Sequence, residues 1–184
     1  MDMRVTPRQK MKLVMVGNGM AGVRALEELL KLAPDLYDIT VFGAEPHPNY
    51  NRILLSPVLA GEQKLEEIIL NDWDWYRDHH ITLHAGYKVT QVDRAQRSIR
   101  AVNAQGQTID TRYDRLILAT GSGSSYFGHE QWRAEAPPMK ILEHADEIRR
   151  RLLSALEEAE QTTDAERRRF LQSVVIIGGR KRRR

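Results

Sequence analysis

The chain has 184 residues, 41% of them hydrophobic and 29% charged, enough to bury a sizeable core and to place it among soluble globular proteins rather than disordered or fibrous ones. It contains no cysteine, which excludes a disulfide framework, a thiolate nucleophile, a redox dithiol and cysteine-held zinc or iron–sulfur centres. The net charge is +3, but Arg180, Lys181, Arg182, Arg183 and Arg184 carry five positive charges, so the other 179 residues sum to −2.

A terminal basic run reads first as a solvated end, with attachment to nucleic acid or an anionic surface as the competing reading. A body of net negative charge favours the first, and no nucleic-acid partner is expected. The polar start, Met1 to Lys12, lacks the apolar core of a signal peptide. The longest apolar stretches, such as Leu116–Ala119 and Val174–Ile177, fall far short of the roughly 20 residues that span a bilayer. No transmembrane segment and a cytoplasmic location are therefore expected.

In chain order, Lys12–Val16 is an apolar run ending at Gly17 and reads as a buried parallel strand. Gly19 to Leu32 places Met20, Val23, Leu26 and Leu29 at helical spacing, and Pro34 stops the helix after Ala33. Asp38–Phe42 is the next strand, so the opening spells strand–helix–strand. Pro46 to Gly61, with three prolines, predicts a loop with short helical pieces, and Asn71–His80 a short helix behind an Asn or Asp cap. Ile81–Leu83, Lys88–Val92 and Ser98–Val102 suggest strands and a hairpin or meander. Thr111–Asp114 leads into Arg115–Thr120, a buried strand closed by Gly121. Beyond it come a Gly/Ser-rich loop, a long helix over 141–159 and a final strand over 170–177.

The densest chemical signal is Gly17-Asn18-Gly19-Met20-Ala21-Gly22, a G-x-G-x-x-G between strand and helix. The first glycine permits the tight turn, the second lets backbone approach a pyrophosphate, and the third lets helix and strand pack closely. Free amides and the helix dipole would face the anion. Glu45, 23 residues past Gly22, can accept hydrogen bonds from ribose hydroxyls. A merely structural turn is the alternative, and strand, glycines, helix, strand and acid in that order argue against it.

Val14–Gly22 and the run 39–61 (ITVFGAEPHPNYNRILLSPVLAG) resemble the amino-terminal FAD domain of the pyridine nucleotide–disulfide oxidoreductase superfamily. The likeness is to the large subunit of NAD(P)H-dependent nitrite reductases, and it continues through 65–86 and Tyr113–Gly121 to cover roughly residues 12–121. The resemblance implies a Rossmann-like α/β fold, with Gly17–Gly22 on the FAD pyrophosphate and Glu45 on the adenosine ribose. It implies Arg52 reaching the pyrophosphate, as guanidinium–phosphate chemistry allows, against the reading of Arg52 as a solvated side chain. It also implies Val89 backbone at the adenine and Ala119-Thr120-Gly121 returning to the flavin. Related flavoproteins often carry Lys after the loop serine, where this chain has Ser56-Pro57.

Residues 122–159 resemble instead the corresponding stretch of type II NADH dehydrogenases, and Gln172–Gly179 the start of that family's second glycine-rich, NADH-binding unit. Arg180 interrupts that second pattern. The expected organisation is an extension (1–11), an FAD-binding domain (12–121), a loop and long helix (122–170), the first strand of an incomplete NAD(P)H unit (171–179) and a basic tail (180–184). The NAD(P)H site of full-length relatives would then need a partner chain or a further carboxy-terminal domain.

Elsewhere the signals are bland. His47, His79, His80, His84, His129 and His144 show no ligand spacing, so no metal is expected. Trp73, Trp75 and Tyr76 read as packing around a short helix. Glu143, Asp146, Glu147, Glu157 and Glu158 among Arg149–Arg151 read as an ion-paired helix face. The expected function is the FAD-binding portion of a flavin-dependent NAD(P)H oxidoreductase, with FAD as cofactor and no catalytic residue identified. The alternative is a non-catalytic nucleotide-binding or assembly module that has lost flavin turnover. The resemblance places nitrite reduction itself on cysteine-held centres, which this cysteine-free chain does not carry.

Overall fold

Met11–Val16 is apolar from Leu13 onward with four consecutive buried residues, the mark of a strand covered on both faces. It is β1 of the structure, a computed structural model that describes residues 9–177. Helix α1 (Met20–Leu32) follows and buries Gly22, Val23 and Leu26. Its last turn closes as the Ala33 amide donates to the Leu29 carbonyl at 2.8 Å. Strand β2 (Tyr37–Gly43) then pairs parallel to β1, with Leu13 opposite Ile39 and Val16 opposite Phe42.

Between β2 and the next strand of that sheet lie β3 (Asn49–Tyr50), α2 (Leu55–Ala60), α3 (Leu65–Ile68), β4 (Ile69–Asn71) and α4 (Trp73–Asp78). Asp72 caps α4 by accepting from the Trp75 amide at 2.8 Å. Strands β5 (Ile81–Ala85), β6 (Lys88–Asp93), β7 (Ser98–Val102), β8 (Thr108–Arg112) and β9 (Arg115–Leu118) complete the strand set, and two helices, α5 (Leu142–Gln161) and α6 (Ala165–Leu171), follow.

The chain divides into two compact units, residues 9–54 with 63–125, and residues 55–62 with 126–177. In the first, a parallel sheet of order β5-β2-β1-β9 accompanies an antiparallel meander β6-β7-β8 and the short β3-β4 pair. The pleat sends alternate β1 side chains to opposite faces. Leu13 and Met15 pack with Val23, Leu26, Ile39, Val41, Tyr76 and Ile81, while Val14 and Val16 pack with Phe42, Ile99 and Ala101. Helices thus cover one face of the sheet and the meander covers the other, which is why β1 is nearly all apolar. Each such side chain taken from water contributes about 1.5–3 kcal/mol.

The second unit is helical. Leu55 and Val58 of α2 and Leu142, Ala145 and Ala159 of α5 are buried in it. Arg149 donates to the Leu59 carbonyl at 2.8 Å, and Glu147 holds Arg150 and Arg151 in ion pairs. Thr162 and Asp164 separate α5 from α6, and Asp164 caps the latter by accepting from the Glu166 and Arg167 amides.

The structure differs from the sequence reading in three places, the first being the strand expected as buried over Arg115–Thr120: β9 ends at Leu118, stands at the sheet edge beside β1 alone, and leaves Leu118 64% exposed. A strand, β8, occupies Thr108–Arg112, where the sequence suggested only a lead-in from Thr111; its alternating exposure gives a weak apolar signal, and pairing with β7 decides it. The strand expected over 170–177 does not form: Phe170 and Leu171 finish α6 behind the Asp164 cap, and 173–177 join no ladder among the described residues. An apolar run needs a partner strand before its amides are satisfied, and Val175 is 84% exposed. Gly178, Gly179 and the basic tail lie outside the described residues.

Candidate functional site

The carboxyl ends of β1, β2 and β9 meet around the glycine turn. Gly17 has φ +108, and a Cβ built there would lie 2.2 Å from the Ala119 carbonyl oxygen and 3.0 Å from the Thr120 nitrogen. Only glycine fits both the backbone angle and the space. The turn is stitched to both neighbouring strands: the Gly17 amide donates to Phe42 O at 2.8 Å and the Ala119 amide to Val16 O at 2.7 Å. A Cβ on Gly22 would meet Ala119 Cβ at 2.9 Å and Met15 Sδ at 3.0 Å, so this glycine sets how closely α1 lies on β1 and β9.

Gly19 is different. Its hypothetical Cβ meets nothing nearer than Arg52 Nε, at 4.0 Å. It is the N-cap of α1 in extended conformation, with no side-chain cap and no acidic residue in the first turn. The first-turn amides, those of Met20, Ala21 and Gly22, have no intrahelical acceptor by the geometry of a helix start. Met20 is half-buried and Ala21 exposed.

Asn18 is held from two sides: its Nδ2 donates to the His47 carbonyl at 3.4 Å, and its Oδ1 accepts from the Tyr76 hydroxyl at 2.7 Å. Burial pushes the Tyr76 phenol up to about 12, the bond to Asn18 opposing that rise, so the hydroxyl stays a donor. Gly43 completes the packing, since a Cβ there would lie 2.9 Å from Asn18 Cβ.

Glu45, just past β2, accepts from the Tyr50 hydroxyl at 2.6 Å and from Arg52 Nη2. The Arg52 guanidinium also lies over the Tyr50 ring, 5.0 Å from its centre. The structure therefore brings Gly19, Arg52 and Glu45 into one cluster. The Gly86 amide donates to the Glu45 carbonyl at 2.8 Å and the Tyr87 amide to Gly43 O at 2.9 Å, tying the start of β6 to the end of β2. Val89 sits on β6 opposite Ala101, beside a bulge, with its side chain packed inward. Ala119 and Thr120 abut Gly17, and Gly121, at φ +70, turns the chain away after β9.

Sequence reasoning missed Tyr50, Tyr76 and Gly43. Tyr50 had a signal, standing two residues before Arg52 on the same loop; Tyr76 had none, because its partner Asn18 is 58 residues away. It also missed a buried pair, Asn49 Nδ2 donating to Asn71 Oδ1 at 2.8 Å, which β3-β4 pairing places opposite each other. Trp75 and Tyr76 pack as expected, at right angles with centroids 5.0 Å apart, whereas Trp73 in the first turn of α4 is exposed and does not.

A parallel sheet with a glycine turn at the switch between β1 and α1 defines the class of Rossmann-like α/β domains. The chain belongs to the pyridine nucleotide-disulphide oxidoreductase family, which residues 11–179 match. A nitrite reductase [NAD(P)H] of Bacillus subtilis is 54% identical over 113 residues, 61% of this chain and 14% of that protein. The type II NADH:quinone oxidoreductase Ndh of Mycobacterium tuberculosis is 29% identical over 177 residues, 94% of this chain and 36% of that one. The likeness to quinone oxidoreductases thus runs along almost the whole chain, beyond the 122–179 stretch. The fold is shared with NDH2 of Plasmodium falciparum, solved with NADH, at a TM-score of 0.71 and 20% identity over 87% of this chain and 32% of that one. This chain spans well under half of each of these proteins. Among the described residues no helix is long and apolar enough to cross a membrane.

Proposed function

We propose that this chain is the FAD-binding portion of a flavin-dependent NAD(P)H oxidoreductase. The observation that carries the reading is the joining of three features at one sheet end: the uncapped first turn of α1 behind Gly19, the Arg52 guanidinium over it, and the Glu45 carboxylate beside Arg52. This donor set suits a dinucleotide. Amides and a guanidinium hold a pyrophosphate, and a carboxylate with spare lone pairs accepts from ribose hydroxyls.

In this reading the flavin, when bound, supplies the hydride-accepting ring. The chain's own residues bind and orient. Gly17 to Gly22 present the amides. Tyr50 fixes one Glu45 oxygen, and the other pairs with Arg52, which keeps the arginine's remaining N–H groups directed as a fork for phosphate. Tyr76 and His47 set Asn18 so that the turn does not collapse inward. Val89 backbone and Ala119-Thr120-Gly121 are the further positions assigned to the nucleotide. Both curated relatives carry a nicotinamide donor in their names, and that donor is what we carry over; their acceptors, nitrite and quinone, differ.

The test is a titration of the purified chain with FAD, followed by flavin fluorescence and the yellow absorbance band. A stoichiometric complex, weakened at least tenfold by Arg52→Gln and abolished by Gly19→Val, is expected. A colourless protein that stays free in excess FAD overturns the reading. A second reading, a flavin-binding module without turnover of its own, is favoured by the single strand–glycine-turn–helix unit among the described residues. NADH-driven ferricyanide reduction by the FAD-loaded chain decides against it.

A further inference from the structure

We propose that the opposite end of the parallel sheet is a binding site for a compact polyanion bearing two or more phosphate groups. The proposal is independent of the flavin reading. Lys12 and Gly17 are five residue steps apart along β1 and its end, about 16 Å of extended chain, so the two places do not overlap.

The backbone assembles the site from three segments. The Asp114 amide donates to Lys12 O and the Lys12 amide to Asp114 Oδ2, at 2.8 and 2.7 Å. The Tyr113 amide donates to Arg97 O at 2.9 Å, the ladder sets Arg112 opposite Ser98, and it sets Arg115 opposite Leu13. The result is a groove of about 520 Å³ lined by Lys10, Lys12, Arg97, Arg112 and Arg115, with Asp114 as its one acid.

Asp114 is committed to the Lys12 backbone and Lys10 to Asp35. Among the described residues, Lys12, Arg97, Arg112 and Arg115 pair with no carboxylate, although the first 179 residues of the chain sum to −2. Arg97, one of the lining residues, holds φ +49, a conformation uncommon for arginine. Four cations against the single Asp114 carboxylate leave the concavity net positive, which raises the local potential and attracts anions. Arginine forks match phosphate oxygens in pairs. The volume lies within the range of small-ligand sites. Its apolar lining residues, Met11 and Tyr113, are half-buried, whereas a docked protein surface needs an exposed apolar anchor at its centre, so a small polyanion is favoured over an acidic protein.

The test is two-dimensional NMR of the full chain titrated separately with tripolyphosphate and with poly-glutamate. Arg97→Asn with Arg112→Gln is the double variant; asparagine is chosen because it tolerates the left-handed backbone. Arg94→Gln, outside the groove, is the control, and Arg115→Gln is a second variant on a different strand. Tripolyphosphate is expected to shift the amides of Lys12, Arg97, Ser98 and 112–115. The double variant and Arg115→Gln should weaken this at least tenfold with unchanged melting temperature, and added salt should weaken it further. No shift at the groove amides at millimolar tripolyphosphate overturns the proposal, as does equal weakening by Arg94→Gln. Poly-glutamate binding there while tripolyphosphate does not also overturns it, and reassigns the groove to an acidic protein.

Discussion

A Cβ on Gly17 would lie 2.2 Å from the carbonyl oxygen of Ala119, closer than any real Cβ contact. The first glycine turn and the end of the last sheet strand are thus one structural object, although 102 residues separate them. Gly17→Ala must move backbone and also adopt φ +108, so its cost exceeds the ~1–2 kcal/mol of a left-handed L-residue alone. Gly19→Ala enters open space. Thermal unfolding by circular dichroism is expected to show a strongly lowered midpoint for the first and a nearly parental one for the second. Comparable losses in both would show that the turn is not closed under Ala119.

Tyr76→Phe removes the 2.7 Å bond to Asn18 Oδ1 and leaves that half-buried oxygen without its donor. A loss of about 1–2 kcal/mol in urea unfolding is expected, together with weaker FAD binding. Because burial holds the phenol at about 12, the bond should survive alkaline pH to well above 9. An unchanged unfolding midpoint in the variant would refute the link.

Glu27 on α1 accepts from Asn71 Nδ2 at 3.0 Å, and this bond, with Arg24 helping, holds its carboxyl below the ordinary value. A carboxylate lowered in the folded state contributes stability above its unfolded pKa of about 4.3, and that contribution is lost as pH falls through the folded value. Asn71→Leu should make the acid limb of a stability–pH curve shallower. The same variant leaves Asn49 without its acceptor, so its stability at neutral pH should fall as well.

His84 lies stacked on Phe42 with ring centres 4.8 Å apart, and burial lowers its pKa. The unfolded chain then takes up the proton first. Stability should fall as pH drops below about 6.5, the unperturbed histidine value. His84→Phe keeps a ring on Phe42 and should flatten that decline between pH 7 and 5; denaturant midpoints across this range measure it.

Much of the first unit was legible along the chain. The apolar runs at 12–16, 38–42 and 115–118 became parallel neighbours; the first two are covered on both faces and so must be apolar, while the third is a part-exposed edge strand. The glycine spacing marked the turn, since only glycine serves at φ +108. The 170–177 run misled the reading, because strand propensity without a partner strand leaves amides unsatisfied. Residues 55–62 stand in sequence within the first unit but fold with α5, a grouping that no local signal announces.

The amino-acid sequence by itself determined the strand–glycine-turn–helix unit and the acid at Glu45, since these depend on residue type and short spacing, while Arg52 was singled out only through the family resemblance. Only the tertiary structure decided that Arg52 turns onto Glu45, that Tyr76 reaches Asn18, and that Arg97, Arg112 and Arg115 gather with Lys12. Those contacts join residues brought together by sheet order and strand register, and register is set by the packing of whole faces, which no local window of sequence contains.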